Sequence, residues 1–313
     1  MSTHSGTAPA SLLVTRSRAT IQLAFGVLYI VWGVSYAANR IMALALPPLL
    51  AAGVRFALAG TWLTVIACTR GCALPRRPRD WLSVAAAAIF GVLLANGLSV
   101  LALRYIPSNQ AALINASSAF WIAWFGMYGR RASPVSARTW TGLVVGFAGV
   151  AVLLSAHGFA ASAHIGWQLT ILAATLCWAL ATAVIRESQT ECDPLIFTAA
   201  YLLVGGALLA GTGLAIGDAA RWVWSLPGLA AILFLAIFSS TFGFLAYTYL
   251  LVHETPSRVG TYAYVNPLVA VLTGWLLLDE RLDTLQLIGS VIIFAGVILV
   301  RNLRIFPRGA RAS

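Results

Sequence analysis

Residues 222–252 read WVWSLPGLAAILFLAIFSSTFGFLAYTYLLV, 31 consecutive positions without Arg, Asp, Glu or Lys. A helix rising about 1.5 Å per residue needs about 20 apolar residues to cross a hydrocarbon core of about 30 Å, so this stretch is long enough to span a membrane. Working outward from it, residues 19–39, 81–103, 105–129, 194–217, 259–278 and 284–300 are equally free of charge, and 139–185 has room for two spans. One more, around residues 48–69, carries a single charge, Arg55. Ten spans are therefore expected, numbered here in chain order. A chain that repeatedly enters lipid must satisfy its backbone within each segment or in a closed barrel, and continuous apolar runs lack the alternation of barrel strands. The expected fold class is an all-α membrane protein with ten transmembrane helices.

Composition agrees, because 60% of the 313 residues are hydrophobic and only 9% are charged, about a third of the charge of a soluble domain. The net charge of +11 would suggest nucleic acid in a soluble protein, but all 20 basic residues are Arg and most lie in short loops. A topology signal accounts for them, and the expected surroundings are the lipid bilayer, with no nucleic-acid partner. With the N-terminus in the cytoplasm, 15 of the 20 Arg fall on the inner side and only Arg40, Arg55, Arg104, Arg221 and Arg281 on the outer side. Both termini are then cytoplasmic, in a bacterial inner membrane. Residues 1–18 lack the charged, apolar and cleavage regions of a signal peptide, so no cleaved leader is expected. Cys68, Cys72, Cys177 and Cys192 have no metal-type spacing and are read as small packing residues, without a disulfide. His4, His157, His164 and His253 lie at loops or span ends, no HExxH motif occurs, and neither a cofactor nor a catalytic residue is expected.

The sequence also repeats itself. Trp32/Trp178, Arg40/Arg186 and Pro48/Pro194 match at an offset of 146, Ala88-Ile89-Phe90 matches Ala236-Ile237-Phe238, Pro107-Ser108 matches Pro256-Ser257, and Phe147-Ala148-Gly149-Val150 matches Phe294-Ala295-Gly296-Val297. Each half holds five spans. An odd number inverts the second half relative to the first, which is the arrangement secondary transporters use to place a site near the midplane. The expected units are a cytoplasmic tail 1–18, a first repeat 19–156, an inverted repeat 164–303 and a cytoplasmic tail 304–313.

Several stretches carry a family likeness. They are Trp32-Gly33-Val34-Ser35 in span 1, Arg55-Phe56-Ala57-Leu58-Ala59-Gly60 in span 2, and Gly142-Leu143 through Gly149-Val150 in span 5. In the second half they are Tyr264-Val265-Asn266-Pro267-Leu268, Leu277-Leu278-Asp279-Glu280-Arg281-Leu282, and Gly289 through Gly296-Val297. Over residues 20–303 the chain resembles the EamA family of the drug/metabolite transporter superfamily. Ser118 stands where family members often carry proline in helix 4, and Gly129-Arg130-Arg131 where they often carry Gly-Glu-Arg, so span 4 lacks the proline that would kink it. The resemblance implies export or exchange of metabolites, amino acids or xenobiotics through a central cavity lined by helices 1, 3, 4, 6, 8 and 9.

Polar side chains in those spans either line a path or join helices. Asn39, Asn96, Asn115 and Asn266 can bind a substrate carboxylate, amine or hydroxyl, or bond between helices. Ser118, beside Ser117, and the cluster Ser239, Ser240 and Thr241 can line the path or bond back to the preceding turn. Trp32 and Trp178, at equivalent positions, together with Trp121, Tyr247 and Tyr264, suit an aromatic cage for apolar or cationic solutes, or core packing and interfacial anchoring. Pro267 frees a backbone carbonyl and is a candidate gate or kink. Arg55, seven residues into its span and roughly 10 Å along it, snorkels outward or binds an anion.

A secondary transporter of small organic solutes, working by alternating access, is thus the expected function, with a channel or a receptor or assembly subunit as alternatives. Boundary acids aside, no Asp or Glu lies inside a predicted span, so a buried carboxylate relay for protons is not expected. Asp279, Glu280 and Glu254 are the nearest carboxylates. Glu254 can pair with Arg258, and Asp279 and Glu280 can cap the turn between spans 9 and 10.

Overall fold

A computed structural model describes residues 17–72, 74–75, 77–130, 132, 135–155, 162–188, 193–281 and 284–301. The tails expected at 1–18 and 304–313 fall almost wholly outside the described residues, as do Cys192 and the side chain of Tyr264. Every regular element among the described residues is helical. The elements are α1 (Arg18–Ala45), α2 (Pro48–Thr69), α3 (Pro78–Ala102), α4 (Ser108–Asn115), α5 (Ser118–Phe125), α6 (Ala137–Ser155), α7 (Ser162–Ser188), α8 (Pro194–Ala215), α9 (Leu226–His253), α10 (Pro256–Val259), α11 (Tyr262–Leu278) and α12 (Thr284–Arg301).

Proline sets several of the boundaries. Leu46 is extended (φ −137°, ψ 161°) and ends α1, while Pro48 opens α2. A residue before proline is pushed out of the helical region, and proline at the first helical position gives up an N–H that has no helical partner anyway. Pro78, Pro194 and Pro256 open α3, α8 and α10 in the same way.

Six of these helices are long and apolar enough to cross a membrane: α1, α2, α3, α7 over Ile165–Ser188, α8 and α9. Val265–Leu278 in α11 and Leu287–Gly296 in α12 are shorter apolar segments. The single rod expected over 105–129 is divided. Between α4 and α5 the amides of Ser117 and Phe120 bond three residues back, to Ile114 and Ser117, at 3.0 and 2.9 Å. The segment therefore turns without a proline: the chain tightens locally to i→i−3 bonds, while the Ser117 hydroxyl meets Thr175 Oγ1 of α7 at 3.3 Å.

Two helices widen instead of tightening. α3 has π-helical turns over Ala88–Asn96 and α9 over Leu235–Gly243, at the positions the repeat makes equivalent. In each, a side chain takes up a carbonyl five residues back: Asn96 Nδ2 donates to Gly91 O at 2.7 Å, and Thr241 Oγ1 to Ala236 O at 2.8 Å.

The most extensive helix contacts are α2 with α8 and α6 with α12; α1 packs on α9 and α11, and α7 on α3, α4 and α5. Glycine makes the first contact close. A Cβ at Gly60 or Gly213 would stand 2.6 or 2.7 Å from the main-chain nitrogens of Leu203 and Leu50, so the two backbones meet with no side chain between them. The outward faces are apolar, with Leu229, Leu233, Ile237 and Phe242 exposed on α9 and Leu268, Leu272 and Trp275 on α11. Contiguous apolar faces of this kind suit lipid rather than water.

Candidate functional site

One cavity wall comes from α1. Trp32, Ser35, Tyr36 and Asn39 lie at spacings of three, four and seven, hence on one face, and all four line a central cavity. The space open to the centres of water-sized molecules is about 100 Å³. Asn96 and Ser99 enter from α3, Arg55 from α2, Asn115 from α4, Trp178 from α7, Ser239 and Phe244 from α9, and Tyr262 and Asn266 from α11. The wide turns of α3 and α9 bear directly on it. Asn96 accepts from Arg55 Nη2 at 3.0 Å, and the Ser239 carbonyl accepts from Trp32 Nε1 at 3.2 Å.

One side of the cavity is an aromatic floor. The Trp32 ring centroid lies 5.1–5.6 Å from those of Trp178, Phe244, Tyr247 and Tyr262, mostly edge to face, the arrangement favoured by ring quadrupoles. Trp178 Nε1 donates to the Tyr262 hydroxyl at 2.6 Å, and the Tyr247 and Thr182 hydroxyls meet at 2.5 Å. The polar tips of the aromatic residues are thus engaged among themselves, leaving ring faces and edges toward the cavity.

Of the residues singled out from sequence, Trp32, Asn39, Asn96, Asn115, Trp178, Ser239, Asn266 and Arg55 line this cavity. Tyr247 lies one layer beneath it, fully buried against Trp32 and Trp178. Ser118 is buried at the start of α5, outside the lining itself but against the lining residue Tyr262. Trp121 points toward α6, where it meets Phe147, because the turn at 116–117 rotates α5 relative to α4. Pro267 is buried inside α11, which continues through it to Leu278. The Asn266 amide nitrogen, oriented to satisfy its surroundings, faces Tyr262 O, Tyr29 O and Leu28 O at 3.1–3.2 Å, so this residue joins α11 to α1 as well as bordering the cavity. Outward snorkelling of Arg55 does not occur: the residue is 1% exposed, its guanidinium lying 4.1 Å from the Phe56 ring centroid.

Sequence reasoning missed Tyr36, Ser99, Phe244 and Tyr262. Helical spacing offered a signal for three of them, since Tyr36 follows Trp32 by four residues, Ser99 follows Asn96 by three and Tyr262 precedes Asn266 by four. Phe244 has no such marker, being one of several apolar residues on α9 until the wide turns orient it.

A polar cluster fastens the helix ends near Asn39. α11 ends on Asp279 in the left-handed region (φ 52°), with the Glu280 amide bonded back to Gly274 O at 3.1 Å. The reversal carries the Glu280 side chain across to α4. There it accepts from Ser108 N, Ser108 Oγ and Asn109 N at 2.8, 2.7 and 3.0 Å, and pairs with Arg40 at 3.1 Å. Arg40 also donates to the carbonyls of Leu103 and Ile106. Rather than capping its own turn, Glu280 ties α11 to α4 and α1. Its place is understandable, because a carboxylate at a helix N-terminus accepts amide protons left without helical partners. Glu254 does pair with Arg258, at 2.8 Å.

The sequence profile of the EamA-like transporter family matches residues 20–155 and again residues 165–302. A relative described as the uncharacterized inner membrane transporter YedA of Escherichia coli (strain K12) is 32% identical over 283 residues, 90% of each chain. The uncharacterized transporter YvbV of Bacillus subtilis (strain 168) is 28% identical over 295 residues, 92% of each chain. A solved crystal structure shares the fold with a TM-score of 0.70 at 19% identity, covering 92% of this chain and 100% of the other. With the profile matched over nearly the whole chain, around a cavity enclosed by apolar helices, the protein belongs to the EamA-like transporter family.

Proposed function

We propose that the protein is a secondary transporter that exports or exchanges small organic solutes, amino acids and related compounds or xenobiotics among them, by alternating access at the central cavity. In this reading ten spans form two inverted five-span repeats, 19–156 and 164–303, with both termini cytoplasmic in a bacterial inner membrane. The observation that carries it is the composition of the cavity wall: α1 to α4 come from the first repeat, α7, α9 and α11 from the second. A site shared by both halves changes shape when one half rocks against the other.

The packing supports the same reading. Exchanging the halves maps the contact of α1 with α9 onto that of α7 with α3, while α2 with α8 and α6 with α12 map onto themselves. The paired wide turns of α3 and α9 obey the same exchange. A channel is less well served, because the cavity rests on a packed aromatic cluster, whereas a rocking carrier needs such a barrier on one side at a time.

Counterflow in proteoliposomes tests the proposal. A carrier is expected to give saturable uptake of a labelled solute that unlabelled solute inside the vesicle accelerates. Flux that rises linearly with concentration, without acceleration from the far side, would favour a channel. The topology has its own check in a variant lacking native cysteines and carrying Arg77→Cys: an impermeant thiol reagent should reach position 77 only from the cytoplasmic side.

A further inference from the structure

Among the described residues the lining of the cavity contains one formal charge, Arg55, and no carboxylate. Arg55 is 1% exposed and forms no ion pair among the described residues; its Nη2 donates to Asn96 Oδ1 at 3.0 Å, while Nε and Nη1 are buried without a hydrogen-bond acceptor. An isolated buried cation with unused donors is among the costliest arrangements in a protein interior, and it persists where something else supplies the counter-charge. The neighbours do not. Asn96 contributes a neutral amide oxygen, and Phe56 contributes a ring face 4.1 Å from the guanidinium carbon.

We infer that Arg55 is the seat of a carboxylate carried by the transported solute, so that the substrate class is small organic monocarboxylates with an apolar body. A guanidinium fork matches a carboxylate in shape as well as charge, and each of the two edges of Arg55, Nε with Nη2 and Nη1 with Nη2, keeps one unused donor, Nε or Nη1, to offer it. The apolar body of the solute then rests on the Trp32, Trp178 and Phe244 rings. Asn96 positions the guanidinium: its oxygen holds Nη2 while its nitrogen is anchored on Gly91 O of the wide turn at 2.7 Å. This inference rests on the transport reading only in taking the bound solute to be the transported one.

The test compares matched solutes on the full chain in detergent, in a buffer low in chloride. Acetate, butyrate, benzoate and phenylacetate are set against their amides, with benzylamine and chloride as further arms, and binding is read as a rise in the midpoint of thermal unfolding. At least one carboxylate is expected to stabilise the protein at concentrations ten-fold or more below those its amide requires. Arg55→Gln should abolish that discrimination, and Arg55→Lys, which keeps the charge but loses the fork, should retain part of it. If Arg55→Gln does not fold, the carboxylate-to-amide comparison on the native protein and on Arg55→Lys decides. The inference is overturned if no carboxylate stabilises the native protein, if amides or benzylamine do as well, if Arg55→Gln binds carboxylates unchanged, or if chloride alone reproduces the effect. Counterflow separates the two claims. Unaltered flux of a carboxylate through Arg55→Gln would overturn the anion assignment alone, whereas Arg55-dependent binding without flux of any bound solute would overturn the transport reading alone.

Discussion

Within the cavity, two lining residues have different work. Asn266 faces three main-chain oxygens of α1 and α11, so removing its side chain gives up hydrogen bonds that tie α11 to α1, worth about 0.5–1.5 kcal/mol each. Asn266→Ala should therefore lower the unfolding midpoint of the purified protein clearly, and a variant as stable as the parent would show that these contacts carry nothing. Trp178 is tied to the Tyr262 hydroxyl and packed against Trp32. Trp178→Phe keeps an aromatic body and loses one bond, worth about 1 kcal/mol. It should fold normally yet bind solute roughly five-fold more weakly, as measured by the concentration needed for half-maximal stabilisation. Unchanged affinity would remove the floor from the binding site.

Helices pack here through what they lack. At Gly60 and Gly213 the backbones of α2 and α8 approach so closely that a methyl group would meet main-chain atoms, which cannot move aside as a side-chain tip can. Gly213→Leu should separate the pair and cost at least about 1–3 kcal/mol by overpacking, seen as a loss of folded protein in size-exclusion chromatography or a lower unfolding midpoint. Gly26 has nothing within 4 Å of an added Cβ, so Gly26→Ala should be tolerated and serves as the control. The turn at 116–117 and the wide turns of α3 and α9 show the same logic in the other direction. Local departures from the regular helix decide which residues meet: Trp121 is turned toward α6, while Asn96 is turned toward Arg55.

Across the whole molecule, the cluster around Glu280 joins the ends of α1, α4 and α11 beside the cavity. These ends must separate or slide if the halves rock, so the cluster holds one arrangement in place. Glu280→Ala should shift the balance between arrangements, read as a several-fold change in the rate at which a thiol reagent modifies Ser99→Cys in the cavity wall; an unchanged rate would make Glu280 a local cap only. Coupling belongs to this scale as well. Among the described residues the cavity lining holds no Asp or Glu, so a carboxylate relay for a proton is not expected there. Flux in proteoliposomes should be the same with and without an imposed pH gradient for a solute whose own ionisation does not change over that range. Concentrative uptake that collapses with protonophore and survives neutralisation of Glu254, Asp279 and Glu280 would contradict it.

The sequence alone determined the solvent and the type of element, because charge-free runs of span length admit lipid and helix and little else. It also matches itself, residues such as Trp32 and Trp178 recurring at a nearly fixed offset, and it brought forward eight of the cavity-lining residues, polar or aromatic types inside spans. Only the tertiary structure decided which way each side chain faces. Arg55 reads as a residue near a helix end that can reach water, yet α3 and α8 enclose α2 and leave its guanidinium at the cavity wall. Glu280 reads as a local cap, yet the left-handed turn at Asp279 delivers it to a helix some 170 residues away in sequence, Ser108 and Glu280 being 172 positions apart. Trp121 and Trp32 read alike, and a two-residue turn places them on different surfaces. Hydrophobicity is summed along the chain and is therefore legible in it; facing depends on dihedral angles at a few turns and on neighbours distant in sequence, which no single stretch contains.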